Sequence, residues 1–254
     1  MQRSIAGFVV GIAALAAGCG RAPGPEELRL FVKAQDTFDQ AVGREDYLRA
    51  AAMYQEILDR GFRSGAVFYN QANSLMQGGQ RGRAIAAYRQ AVRYRPRDPY
   101  VEANLRNALG AGSDPGRRTL VDYLLFWQDW LSYPEKFRLL AALAGLAATL
   151  GLAGIALRRR LASQLAAGCL GLAAVVGVSA GYDWYRYDYT EHGVVTVAKV
   201  TARKGNSTSY QPALTAPLEE GTEFTVVDRR GGWLLVRLPA GQEGWVEDVA
   251  VTTY

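Results

Sequence analysis

The chain is short of the residues that carry most enzyme chemistry. Its 254 residues contain one histidine and two cysteines. A multi-histidine metal site cannot be assembled from His192 alone, and a histidine–cysteine catalytic pair has no suitable cysteine. Cys19 and Cys169 both lie within apolar stretches of different kinds, which argues against a disulfide between them. There is no phosphate loop of the Gly-x4-Gly-Lys type and no dinucleotide fingerprint. The carboxylates are scattered without a convincing pair. The formal net charge of +5 is too mild to argue for nucleic acid. The expectation is a non-enzymatic protein with no cofactor, no metal and no nucleic-acid partner.

What is present is apolar and periodic. Two uncharged runs, 139–157 and 161–182, flank Arg158, Arg159 and Arg160. Each is long enough to cross a bilayer core as a helix, which needs roughly 20 residues. Three arginines between them belong at a membrane face, so the runs read as a transmembrane hairpin with a tight turn. The alternative is a buried helical hairpin of a soluble domain. Lys and Arg concentrate in short cytoplasmic loops, which places the arginine turn inside and both flanks outside. Residues 5–18 follow Arg3 and resemble a signal-peptide core. They end in Leu15-Ala16-Ala17-Gly18-Cys19, which resembles a bacterial lipobox with Cys19 as the lipidated residue. A plain signal peptide and an uncleaved anchor are the other readings of 1–19. The implied location is the bacterial inner membrane, multi-pass, with both soluble parts extracytoplasmic.

The strongest internal repeat runs over 65–98. Phe68, Ala72 and Leu75 share a face of one helix, Gly78-Gly79 turns, and Ala84, Tyr88 and Ala91 share a face of a second helix that Pro96 stops. Residues 31–64 match one period earlier at Phe38, Ala41, Ala50, Tyr54 and Ile57. Residues 99–109 begin a third unit that serves as a cap. The pattern resembles the tetratricopeptide repeat, a helix pair of about 34 residues, over 28–110. The resemblance implies binding of proteins or peptides in a groove lined by the first helices. Its groove positions here are Tyr69, Asn70, Asn73, Gln77, Tyr100 and Asn104. Asparagines at Asn70 and Asn73 match members that clamp a C-terminal carboxylate, but Tyr69 stands where those carry lysine. Hydrogen bonding between helices is an equal reading of the two asparagines. The second repeat carries Arg81, Arg83, Arg89, Arg93, Arg95 and Arg97 against Asp98 alone, either a solvated face or a surface for an acidic partner.

Residues 117–137 read as an aromatic-rich amphipathic helix. Trp127, Trp130 and Tyr133 suit a lipid interface, and Pro134 breaks the direction before the first span. Docking back on the repeats is the alternative. Residues 194–251 alternate in short strands with Gly231-Gly232 as a turn and Gly244-Trp245-Val246 near the end. The ordering resembles a bacterial SH3-like domain, although 202–210 lacks the usual arginine-serine-glycine order. Aromatic core is the default for Trp233 and Trp245, with Trp233 the better surface candidate because it follows the turn.

The fold class expected is therefore multi-domain: an α-helical tetratricopeptide module, a two-helix transmembrane hairpin and a small SH3-like β-barrel. This order resembles the BatE-type proteins of the Bacteroides aerotolerance operon. The resemblance implies an adaptor or scaffold in an envelope complex, with von Willebrand factor A-type membrane proteins as partners and the membrane lipid around its two spans. A peptidoglycan-binding protein acting through the SH3-like domain is the alternative.

Overall fold

The computed structural model describes residues 22–110 and 127–254. The 1–19 segment with Cys19 lies outside the described residues, as does most of the helix expected over 117–137. The described residues fall into two compact units, one built from 127–186 and the other from 22–110 together with 187–254.

The second unit begins with five helices: α1 (Pro25–Asp39), α2 (Arg44–Asp59), α3 (Gly65–Gln77), α4 (Arg81–Tyr94) and α5 (Pro99–Leu109). Successive helices pack against one another, with α1 on α2, α2 on α3, α3 on α4 and α4 on α5. Starts and stops are locally encoded. Asp46 Oδ2 accepts from the amides of Val42 and Gly43 at the entry to α2, and Ser64 Oγ accepts from Val67 N at the entry to α3. Pro99 follows the Asp98 cap of α5, whose side chain accepts from Tyr100 N. Gly79 turns α3 into α4 with φ +70°, a left-handed conformation that glycine adopts without a Cβ penalty.

The buried faces follow from residue size. Ala50 and Ala84 are fully buried at equivalent places in α2 and α4, and Tyr54 and Tyr88 fill the gaps beside them. Phe68, Ala72, Leu75 and Ala91 are buried as their spacing requires. Small side chains let the helices approach and the tyrosines restore packing density.

Residues 187–254 form a small antiparallel sheet. Strands β1 (His192–Val195), β4 (Glu223–Arg230), β5 (Trp233–Arg237), β6 (Glu243–Glu247) and β7 (Val251–Thr253) pair in the order β6-β5-β4-β1-β7. A two-stranded ribbon joins β2 (Lys199–Val200) to β3 (Leu218–Glu219), and a 3-10 turn, Asp248–Ala250, precedes β7. Alternation along β5 buries Leu234 and Val236 against Val195, Phe224 and Val246. Gly231 and Gly232 both have positive φ at the β4–β5 turn.

The sheet does not stand apart from the helices. Val194 belongs to the same buried cluster as Ala84, Ile85 and Tyr88 of α4, and Tyr254 packs against that cluster. The sheet keeps a buried cluster of its own around Val195, Phe224, Leu234, Val236 and Val246, and it joins the helices through Val194 and Tyr254 within one compact unit.

The other unit is a helical hairpin. α6 (Tyr133–Ala156) and α7 (Arg160–Trp184) are each long and apolar enough to cross a membrane. A π-helical turn, Tyr185–Tyr189, extends α7. Ala147, Gly154, Ala166, Ala173, Val176 and Ala180 form the contact between the two helices, while Leu152, Ile155, Leu170 and Val178 point outward. Close packing on small residues is the form expected where the surroundings are as apolar as the helices themselves. α6 starts at Tyr133, so Pro134 opens the helix rather than breaking the chain direction before it. Its ring is tolerated in the first turn, where no helical amide partner is needed. Before α6 the described chain forms a single 3-10 turn, Gln128–Trp130, rather than a continuing helix.

Polar groups close one end of the hairpin. Lys136 Nζ lies 2.6 Å from Asp183 Oδ2, and both side chains are nearly inaccessible. Gln128 donates to Asp183 Oδ1 and to the carbonyl of Ser179, and its own carbonyl accepts from Ser179 Oγ at 2.8 Å. Arg158, Arg159 and Arg160 occupy the other end, all exposed.

Candidate functional site

Helices α3 and α5 carry the residues expected to bind a partner, and the structure divides them into two groups. Asn70 Nδ2 donates to Gln35 Oε1 at 3.0 Å and to Tyr54 Oη at 3.3 Å. Asn73 Oδ1 accepts from Tyr88 Oη at 2.6 Å and from Asn104 Nδ2 at 3.1 Å, and Asn104 also donates to Tyr69 Oη. Each asparagine thus closes a polar junction between successive helices, the second of the two readings left open by the sequence. Burial drives both phenols toward their neutral form: Tyr54 is pushed up to about 12, and Tyr88 is raised further. Gln77 and Tyr100 remain available, with Tyr100 72% exposed. Tyr69 is half-buried, with the Arg95 guanidinium 5.9 Å from its ring centroid. The open surface is therefore an aromatic and amide rim, with Asn70, Asn73 and Asn104 as its internal supports.

The arginines of α4 and of the turn after it are largely engaged within the chain. Arg89 makes a two-pronged pair with Glu223 of β4, both bonds 2.7 Å. Arg93 donates to both oxygens of Asp188 and lies 5.3 Å from the Tyr187 ring centroid. Arg81 donates to the carbonyls of Ala108 and Leu109, closing the C-terminus of α5. Arg83 bonds Gln80, and Arg95 pairs with Asp98. Beside them, Gly82 N donates to Glu220 Oε1 at 2.8 Å. The acidic surface that this basic helix meets belongs to the chain's own C-terminal segment.

Burial alone raises the Glu223 carboxyl pKa, but the Arg89 hydrogen bonds and charge, with the Tyr254 hydroxyl, overrule it and hold the group below the ordinary carboxylate range. The matching effect on Arg89 is upward, against the downward pull of burial. A carboxyl with a depressed folded-state pKa contributes stability that is complete above its unfolded value, about 4.3, and is lost as pH falls through the folded one. Between about pH 5 and 3 the denaturant midpoint of the full chain is expected to fall, and Glu223→Gln should flatten that fall. At neutral pH the same substitution should cost about 2 kcal/mol, because it removes a charge-assisted pair. An unaltered pH profile in the variant would mean that Glu223 is not the titrating group.

Two concave spaces lie in this unit. One, of about 540 Å³, opens between α2, α3 and α4 and the end of β7, with Gln55, Gln71, Arg83, Gln90 and Tyr254 on its walls. The other, of about 380 Å³, lies on the sheet between Val197, Lys199, Arg203, Trp233, Glu247 and Val249. Trp233 forms part of its wall and Val249 is 86% exposed beside it. Trp245 is half-buried under the Arg230 guanidinium, so neither tryptophan belongs to the fully buried core. Among the described residues no group of three or more His, Cys, Asp or Glu side chains could hold a metal ion.

No family model matches the chain, and no curated protein and no solved structure matches it.

The Gly82–Glu220 and Arg89–Glu223 contacts had no counterpart in the sequence reading. They join residues 138 and 134 positions apart, and no spacing rule selects one glutamate over another at that separation.

Proposed function

We propose that this protein is a membrane-anchored adaptor without enzymatic activity. Its repeat module and SH3-like module are displayed together outside the cytoplasm on a two-span hairpin. The observation that carries the reading is the single unit formed by 22–110 and 187–254. These segments precede and follow the two apolar helices, yet they pack as one body through Val194, Arg89–Glu223 and Gly82–Glu220. A chain that leaves such a body and returns to it must cross a bilayer an even number of times. Two crossings with an arginine turn between them meet that requirement, and positive charge favours the cytoplasmic side for the turn. This supports a multi-pass inner-membrane protein of the BatE type, acting in an envelope complex through protein–protein contacts. The rim of Tyr69, Gln77 and Tyr100 is the binding surface, because the asparagines behind it are already bonded within the chain.

The groove at Trp233 favours a second reading, retention on peptidoglycan through the SH3-like module. A half-buried tryptophan beside exposed Val249, with Lys199, Arg203 and Glu247 around it, can hold a short peptide.

Photo-crosslinking in intact membranes separates the two. A crosslinker at Tyr100 is expected to capture a protein partner, and capture should fall at least tenfold when Gln77 and Tyr69 are changed to Ala. Trp233→Ala should leave that capture intact. Loss of binding to purified sacculi in Trp233→Ala, with no adduct from Tyr100, favours the wall-binding reading instead. Reporter fusions after Asn107 and after Tyr254 should be active only as exported reporters. Cytoplasmic activity of either sinks the topology.

A further inference from the structure

We propose that Arg158, Arg159 and Arg160, at the tip of the hairpin, form a binding site for anionic phospholipid headgroups. The inference rests on the membrane reading above and adds a ligand to it.

The three side chains are exposed, and among the described residues none makes an ion pair or a side-chain hydrogen bond. The described carboxylates of this unit, Asp129, Glu135 and Asp183, belong to the opposite end of the hairpin, so none of them neutralises the tip. Directly beside the guanidiniums, Ile155, Leu157 and Leu161 are 76%, 68% and 68% exposed. An apolar wall next to a cluster of fork-shaped cationic donors matches a molecule with a phosphate at one end and acyl chains at the other. A soluble anion would use only half of that surface.

The backbone supplies an independent observation. The end of α6 is a closed cap in which Arg159 N bonds Gly154 O and Arg158 N reaches Ile155 O. Arg158 sits in its left-handed position with φ +52°, where glycine is the usual residue. Among the described residues it is the one non-glycine with positive φ. A charged side chain is thus held at a position where its Cβ is unfavourable, and strain of this kind points to a use for the side chain.

Native mass spectrometry of the full chain in micelles tests the assignment, with phosphatidylglycerol or phosphatidylcholine added as the probe. The wild-type chain is expected to retain phosphatidylglycerol in preference to phosphatidylcholine. Arg158→Gly should weaken that retention about fivefold, the effect of one cation near an anionic lipid surface. The same variant should raise the thermal midpoint of the hairpin, because glycine relieves the backbone. Arg159→Gln with Arg160→Gln should weaken retention by a further tenfold or more. Equal retention of the two lipids, or retention unchanged in all variants, overturns the proposal. Displacement of the lipid by glycerol phosphate at matched concentration would identify a free-phosphate site and also overturn it. Flotation with vesicles of pure phosphatidylcholine isolates the parent reading. Wild type and variants should float equally, and failure of the wild type to float would defeat the membrane assignment itself.

Discussion

Gly82→Val is expected to lower the stability of the full chain by about 3 kcal/mol, the upper range for overpacking a close contact. Gly82 lies in the first turn of α4, and a Cβ there would meet the carbonyl oxygen of Val195 and, at 2.9 Å, the Cα of Thr196. Both are backbone atoms, so no side chain can swing away to make room. The helix and β1 must separate, which also strains the Gly82 N to Glu220 bond and uncovers Val194. Denaturation followed by circular dichroism should show an earlier transition, with helices and sheet no longer unfolding together. Arg83→Ala, one residue away on the exposed side, should change stability by no more than about 0.5 kcal/mol. A Gly82→Val midpoint equal to wild type would show that α4 and the sheet do not depend on each other.

Lys136→Met should be as damaging to the hairpin. It leaves the Asp183 carboxylate buried without its ion-pair partner, held by the Gln128 amide and the Arg186 charge, and breaking a buried pair from one side costs about 3–5 kcal/mol. Adding Asp183→Leu should return most of that loss, since removing both charges leaves no orphan. Gln128 then keeps its bonds to Ser179. Helicity in micelles under increasing denaturant distinguishes the two outcomes. A double variant as weak as the single one would show that the lost stability comes from packing rather than from an unpaired charge.

The closing pair also explains a limit of the sequence reading. Lys136 and Asp183 stand just outside the two uncharged runs, and no spacing rule pairs them. In the structure they find each other across 47 residues and fix the register of α6 on α7. The same limit applies to the basic helix. Arg89 and Arg93 could be read as a surface for an acidic partner, but they are bonded to Glu223 and Asp188. Asn70 and Asn73, expected along a peptide groove, are held by Gln35, Tyr54, Tyr88 and Asn104. The rim residues Gln77 and Tyr100 stay open because the packing leaves their side of the helices uncovered.

By itself the sequence determined the local architecture. Small and aromatic residues at helical spacing marked the faces of α2, α3 and α4, glycines marked the turns, and two uncharged runs around three arginines marked the hairpin. These signals lie within a few turns of helix or one strand, where periodicity translates directly into a buried face. Only the tertiary structure decided which charges pair and that 22–110 and 187–254 form one unit. The chain has 29 Lys and Arg and 24 Asp and Glu. Any cation can attract any carboxylate, so pairing depends on where the fold carries them. Val194 and Gly82 show the same dependence: a strand valine and a helix glycine reveal nothing of each other until close packing sets β1 against α4.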